Sequence, residues 1–308
     1  MKLRTELAPA PLTTRIDCPD STLLLGSCFT EHIGQWLRDY GLRTTCNPWG
    51  ILFNPASIAQ NLTNCLADAP REPEICHQGG RCLSYDHHGS IWADDEAALR
   101  DLLADIDRRA RAAYLAADHI LVTFGTAWVF ERGGRIVANC HKSPASEFTR
   151  RRLTVDEIVE QWSPFAADKH LIFTVSPIRH LADGLHGNQL SKATLLLAID
   201  RLRDLFPTHV EYLPAYELLI DDLRDYRFYA DDLVHPAPLA IEAVKELFLV
   251  DAASPQLRRY MDEMSPLVRT LAHRPSDPEA PEYIALREKT LAEIERIKAR
   301  TLSPPLPR

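Results

Sequence analysis

The sequence predicts an α/β protein in which a parallel sheet of about five strands lies between two helical layers, and three observations carry that prediction. Four short apolar runs, "STLLLG" (21–26), "HILVTFG" (119–125), "HLIFTVSP" (170–177) and "HVEYLP" (209–214), are rich in branched and aromatic residues and read as strands buried on both faces. At least one helical pattern separates each run from the next, as a parallel crossover requires. No stretch reaches the ~18 continuous apolar residues of a membrane-spanning helix, so these runs belong to a globular interior.

Taken in order, the first strand stops at Gly26 and gives way to a helix with Ile33, Trp36, Leu37 and Tyr40 at i, i+3, i+4 and i+7. Thr30 is its expected N-cap, with Glu31 in the first turn. "LRTTC" (42–46) is more polar and suits an edge strand. "RCLSYDHHGSIWA" reads as a hairpin insertion within residues 76–93, turning at Asp-His-His-Gly. "TAWVFERGGRIVANC" reads as a second hairpin, with Gly133-Gly134 between "WVFE" and "RIVA". Leu195, Ile199, Leu202 and Phe206 mark another helix, and Ala240, Val244, Leu247 and Phe248 one more. Strand signals end near residue 250. The expected division is a domain over 1–250 and a helical C-terminal appendage with a proline-rich tail over 251–308, because ~58 residues make a marginal core alone.

Composition narrows the function. With 45% apolar and 25% charged residues the chain is of ordinary globular type, and a net charge of -8 argues against nucleic acid or an anionic membrane as partner. Arg150-Arg151-Arg152 is too short a basic run to reverse that. The first twenty residues lack the apolar core of a secretion signal, and seven scattered cysteines without a CxxC pair fit reduced thiols. A cytoplasmic location is expected. Cys76, His77, Cys82, His87 and His88 fall within thirteen residues, enough ligands for zinc, but their spacing matches no standard knuckle. No metal and no cofactor are expected.

In open parallel sheets ligands bind beyond the carboxyl ends of the strands. Ser27 follows a glycine there, at the positive end of a helix, where a serine can attack a carbonyl and backbone amides can hold the oxyanion. Asp232 and His235 stand three apart in "YADDLVHP", close enough for the carboxylate to hold Nδ1 of the imidazole while Nε2 acts as base. Pro236 favours extended geometry at His235 and can occupy the first turn of the next helix. Arg179 and His180 follow the fourth strand and Lys142 follows the second hairpin, groups suited to a carboxylate, a phosphate or sugar oxygens.

"GSCFT", "NPWGILFNP", "NCHKSPASEF", "SPIRHLADGLHGNQLSKA" and "FYADDLVHP", in this order between about residues 20 and 250, together resemble the GSCFA family, which belongs with the GDSL/SGNH hydrolases. The resemblance implies a flavodoxin-like three-layer α/β/α sandwich. It also implies a serine-dependent ester hydrolase or acyltransferase acting on an O-acyl, acetyl-like group of a small-molecule or carbohydrate ester. Ser27 matches the nucleophile, Asp232 and His235 the final DxxH block, and Gly50 the second-block glycine whose amide joins that of Ser27 in the oxyanion hole. The third block departs from the pattern: "GTAW" puts Ala127 where an asparagine stands in the superfamily. Amides near Thr126, or the side chains of Asn139, His141 or Asn188, are the replacements to look for, and Asn188 also counts among the substrate contacts. Two alternatives stay open: Cys28 as a thiol nucleophile, and a non-catalytic binding module that keeps the fold.

Overall fold

The computed structural model describes residues 5–302. Its strands in chain order are β1 (Ser21–Gly26), β2 (Arg43–Cys46), β3 (Ile75–Gln78), β4 (Arg81–Ser84) and β5 (His119–Phe124). They continue with β6 (Trp128–Arg132), β7 (Arg135–Val137), β8 (Thr149–Arg152), β9 (Leu171–Val175) and β10 (Val210–Tyr212). The helices are α1 (Cys28–Asp39), α2 (Pro55–Leu66), α3 (Glu96–Ala116), α4 (Val155–Asp168) and α5 (Gly184–Leu205). Beyond them lie the single turn α6 (Ala215–Glu217), then α7 (Pro238–Asp251), α8 (Pro255–Ala272) and α9 (Pro281–Thr301).

Five strands form one parallel sheet in the order β10-β9-β5-β1-β2. Counted among themselves these strands run 2-1-3-4-5, the flavodoxin-like doubly wound order, with its switch point between β1 and β5. Alternate residues of each strand face opposite layers. Leu23, Leu25, Ile120, Val122, Phe173 and Val175 join a core with α2 to α5, whereas Leu24, Leu121 and Ile172 join a second core with α1, α7, α8 and α9. The architecture is therefore the predicted three-layer α/β/α sandwich.

Both insertions are antiparallel, with differences from expectation. The first hairpin turns at Gly79-Gly80, both at positive φ, a geometry that glycine adopts freely, instead of at Asp-His-His-Gly. The segment after β4 returns only through a bridge between Cys82 and Ala93. The second hairpin does turn at Gly133-Gly134, and the basic run supplies a third strand, β8, paired with β6. Two helix starts also shift. α1 begins at Cys28 with Ser27 as N-cap, one turn before Thr30, and α7 takes Pro238 as its first-turn proline while Pro236 pairs across to Tyr229.

The C-terminal helices are built into the second core. Leu257, Tyr260, Met261, Met264, Ile294 and Ile297 are buried with Phe29, Ile33 and Leu37 of α1, and the Tyr260 hydroxyl donates to the Tyr40 carbonyl at 2.6 Å. The N-terminal segment is tied to the same region, since Ile16 N–H donates to the Ala252 carbonyl and Ser254 N–H donates to that of Ile16. The proline-rich stretch from residue 303 lies outside the described residues. Among the described residues no helix is long and apolar enough to cross a membrane.

Candidate active site

β1 ends so close to β5 that a Cβ on Gly26 would stand 2.1 Å from the Thr123 carbonyl oxygen, and its φ of +132° is one that only glycine adopts without strain. Asn47 locks the corner: its carboxamide oxygen accepts from Gly26 N–H at 2.8 Å and its amide donates to Glu31 Oε1 at 2.7 Å. Ser27 follows in extended conformation as the α1 N-cap, yet its side chain caps nothing. The residue is 1% exposed, and Oγ has no hydrogen-bond partner among the described residues. Leaving a buried hydroxyl unpaired costs ~1–3 kcal/mol, so folding gains nothing from this group as it stands. Thr30 N–H donates back to the Ser27 carbonyl, while the amides of Cys28 and Phe29 belong to a first turn that offers no intrahelical acceptor.

The opposite wall is the loop before α7. Asp232 Oδ1 accepts the backbone N–H groups of Val234 and His235, each at 2.9 Å, and Oδ2 lies 2.6 Å from His235 Nδ1. These bonds hold the Asp232 carboxyl down at about 2, so it is ionised at any working pH, accepts from Nδ1–H and leaves Nε2 as the free basic nitrogen. Leu233 between them takes φ +57°, and Ala230 N–H closes the loop on the His235 carbonyl at 2.8 Å. The three-residue spacing thus becomes a tight turn in which Asp232 grips both backbone and ring of His235.

Ser27 and His235 line one cavity of about 430 Å³, together with Cys28, Phe53, Ser176, Arg179 and Asp183 among others. There is no hydrogen bond between the serine hydroxyl and the imidazole, a looseness common where no substrate draws the pair together. Cys28 is half-buried and lines the same cavity; burial raises its thiol pKa, which keeps it protonated. His180 packs edge-on to Phe53, and burial pushes its pKa down to about 4, so it contributes a neutral ring.

Beneath this cavity lies Lys192, a residue the sequence reading passed over. It is fully buried, and its Nζ donates to the carbonyls of Gly125 and Ser176 at 2.6 Å each, joining the carboxyl ends of β5 and β9. The signal was present: Asn188, Ser191 and Lys192 interrupt the apolar stripe of α5 with three buried polar side chains on one face.

Several expected contacts do not reach the cavity. Gly50 N–H is engaged by the Asn47 carbonyl at 2.8 Å, and Ser27 N–H by that of Thr123 at 3.3 Å, so neither amide is held open for an oxyanion. Thr126 N–H donates to Phe53, and its hydroxyl pairs with Ser191, which also accepts from Ala127 N–H. Asn139 accepts from His141 N–H, and the His141 ring is 2.7 Å from the Ser84 carbonyl. Lys142 is an exposed turn residue at positive φ. Asn188 acts indirectly, accepting from His180 N–H at 3.0 Å and so fixing the loop that carries Arg179. In and just after the first hairpin, His77 pairs with Glu96, His87 with Ser84 and His88 with Ser90. Among the described residues no three His, Cys, Asp or Glu side chains are grouped to hold a metal.

The family model described as "GSCFA family" matches residues 21–248, a span that includes Ser27, Lys192, Asp232 and His235. The chain belongs to the GSCFA family. Membership suggests a GDSL-like hydrolase. The GSCFA region ends within α7, so α8 and α9 lie beyond it. No curated protein matches the chain significantly.

Proposed function

We propose that the protein is a serine-dependent ester hydrolase of the SGNH type, with Ser27 as nucleophile, His235 as base and Asp232 as the group that orients it. The observation that carries the reading is the buried, unpartnered Ser27 hydroxyl in the cavity also walled by His235, whose ring Asp232 fixes at 2.6 Å. Ser27 Oγ attacks the ester carbonyl carbon as its proton passes to His235 Nε2. The carbonyl oxygen becomes an oxyanion at the α1 N-terminus, where the Cys28 and Phe29 amides and the helix dipole stabilise it. The carbon–oxygen bond to the alcohol then breaks, the alcohol leaves with the proton from His235, and water deacylates the serine by the reverse relay. Amides in this role would make up for the alanine at position 127. The substrate is a small-molecule or carbohydrate O-acyl ester; an acceptor alcohol in place of water would make the enzyme a transferase.

The thiol reading is disfavoured because burial keeps Cys28 protonated beside the serine. Mass spectrometry after treatment with a fluorophosphonate probe tests the assignment: Ser27 is the expected labelled residue, with labelling lost in His235→Ala. An unlabelled, folded wild-type protein, or a label on another residue, would overturn it.

A further inference from the structure

Among the cations of the candidate cavity, one differs from the rest. Arg150 is neutralised by the side chain of Asp183 and stacks on Trp128 and Phe130. His180 is uncharged, and Lys192 is spent on two carbonyls below the floor. Arg179 lines the cavity with no carboxylate within ion-pair distance among the described residues. Its guanidinium lies 4.3 Å from the Tyr229 ring centre, and one nitrogen reaches the Leu233 carbonyl at 3.4 Å. The Tyr226 ring lies 5.8 Å away and the Tyr229 hydroxyl takes a further contact, but a guanidinium has five N–H donors, so these contacts leave some of them for a ligand.

Its supports, Tyr226, Tyr229 and Leu233, belong to the segment that also carries Asp232 and His235. In the relay proposed above, His235 protonates the departing alcohol, so groups anchored on its loop meet the alcohol and not the acyl half of an ester. We propose that Arg179 selects esters whose alcohol portion carries an anionic group, a carboxylate or a phosphate; this rests on the esterase reading of the same cavity. The fork of donors suits either anion, and the apolar wall of Phe53, Ile178 and Leu181, away from that loop, suits an uncharged acyl group.

The test uses the full chain. Hydrolysis of phenyl acetate is compared with that of 4-carboxyphenyl acetate and 4-phosphonophenyl acetate, and with phenyl hydrogen succinate, whose charge lies on the acyl side. The expected result is kcat/KM about 10–100-fold higher for one or both esters charged on the alcohol side, the size of a charge-assisted hydrogen-bonded pair. The better of those two tells carboxylate from phosphate. Arg179→Gln should bring the ratio to phenyl acetate close to one, and Arg179→Lys should keep part of it. As a readout independent of turnover, 4-hydroxybenzoate or 4-hydroxyphenylphosphonate should protect Ser27 from the fluorophosphonate better than phenol does, and only while Arg179 is present. A Ser27-labelled wild type whose preference and protection are indifferent to charge, are unchanged in Arg179→Gln, or favour the acyl-side anion would overturn the anion proposal alone. Absence of any Ser27 label would overturn the esterase reading and this proposal with it.

Discussion

Ser27, Asp232 and His235 divide the proposed chemistry into parts that mutation can separate. Ser27→Ala or His235→Ala should each lower kcat by roughly 10⁴–10⁶, and the double change should cost little more because the residues act as a unit. Asp232→Asn should cost about 10⁴ or less, since it disturbs the tautomer and leaves the nucleophile in place. Cys28→Ala should retain turnover. These kinetics are measured on any ester the wild type hydrolyses, and an active Ser27→Ala beside an inactive, folded Cys28→Ala would reverse the assignment. The local geometry at these positions was legible because neighbouring residues fix it: a glycine sets the corner before Ser27, and a three-residue turn joins Asp232 to His235. The oxyanion donors could not. Whether an amide is open depends on which carbonyl the fold brings to it, and Gly50 N–H meets Asn47 through a turn that residue types do not reveal. His87 offers an acid-side prediction. Burial holds its pKa down at about 4 while the unfolded chain binds the proton near 6.5, so its contribution to stability is complete above pH 6.5 and is lost as pH falls through 4. Urea unfolding of wild type should weaken across that window, by up to about 3 kcal/mol from this group, and His87→Asn should flatten the fall.

Whole elements were legible where burial dictated composition. β1, β5 and β9 are buried on both faces, and their unbroken apolar runs located them to within one or two residues at each end. Where two turn sequences competed the choice was less readable: Gly79-Gly80 closes the first hairpin because both residues must take positive φ, a requirement that Asp-His-His-Gly meets poorly. β8 carries no strand signal of its own because arginines do not advertise a strand; here Arg151 pairs with Glu131 and Glu157, and Arg150 lies over two rings of β6. α5 supplies the prediction at this scale. Burial pulls the Lys192 pKa down to about 7 from 10.5, so the unfolded chain holds the proton more tightly between those values. The stability this residue contributes is therefore complete above pH 10.5 and falls as pH drops towards 7. Relative to Lys192→Met, wild type should gain stability in urea between pH 7.5 and 9.5; a difference that is flat or falls over that range would show that the ammonium is not buried as described. Lys192→Met should itself be destabilised, because two buried carbonyls lose their donor.

For the molecule as a whole, α8 and α9 complete the layer that holds α1, and α1 holds Ser27. A chain ending at residue 252 should lose several kcal/mol of stability, since burying each of Leu257, Met261, Met264 and Ile297 is worth ~1.5–3 kcal/mol against exposure. Its melting temperature should fall well below that of the full chain, and whatever fraction stays folded should still label at Ser27, because no proposed catalytic group is removed. Folded, truncated protein without labelling would mean that the C-terminal helices shape the cavity. The milder Tyr260→Phe should cost about 1 kcal/mol through the lost bond to Tyr40. The sequence marked these residues as a packed helical appendage but not which surface they cover, because an amphipathic face does not name its partner. The cavity joins distant parts of the chain: Ser27 lies near one end and His235 roughly 200 residues later. On a ribosome adding ~5–20 residues per second, Ser27 emerges about 10–40 s before His235, and on the proposed relay the nascent chain should stay chemically silent until the loop carrying His235 arrives. An acylating inhibitor should accordingly spare unfinished chains and capture finished ones, so labelling at Ser27 counts only molecules whose synthesis and folding have both run past the base.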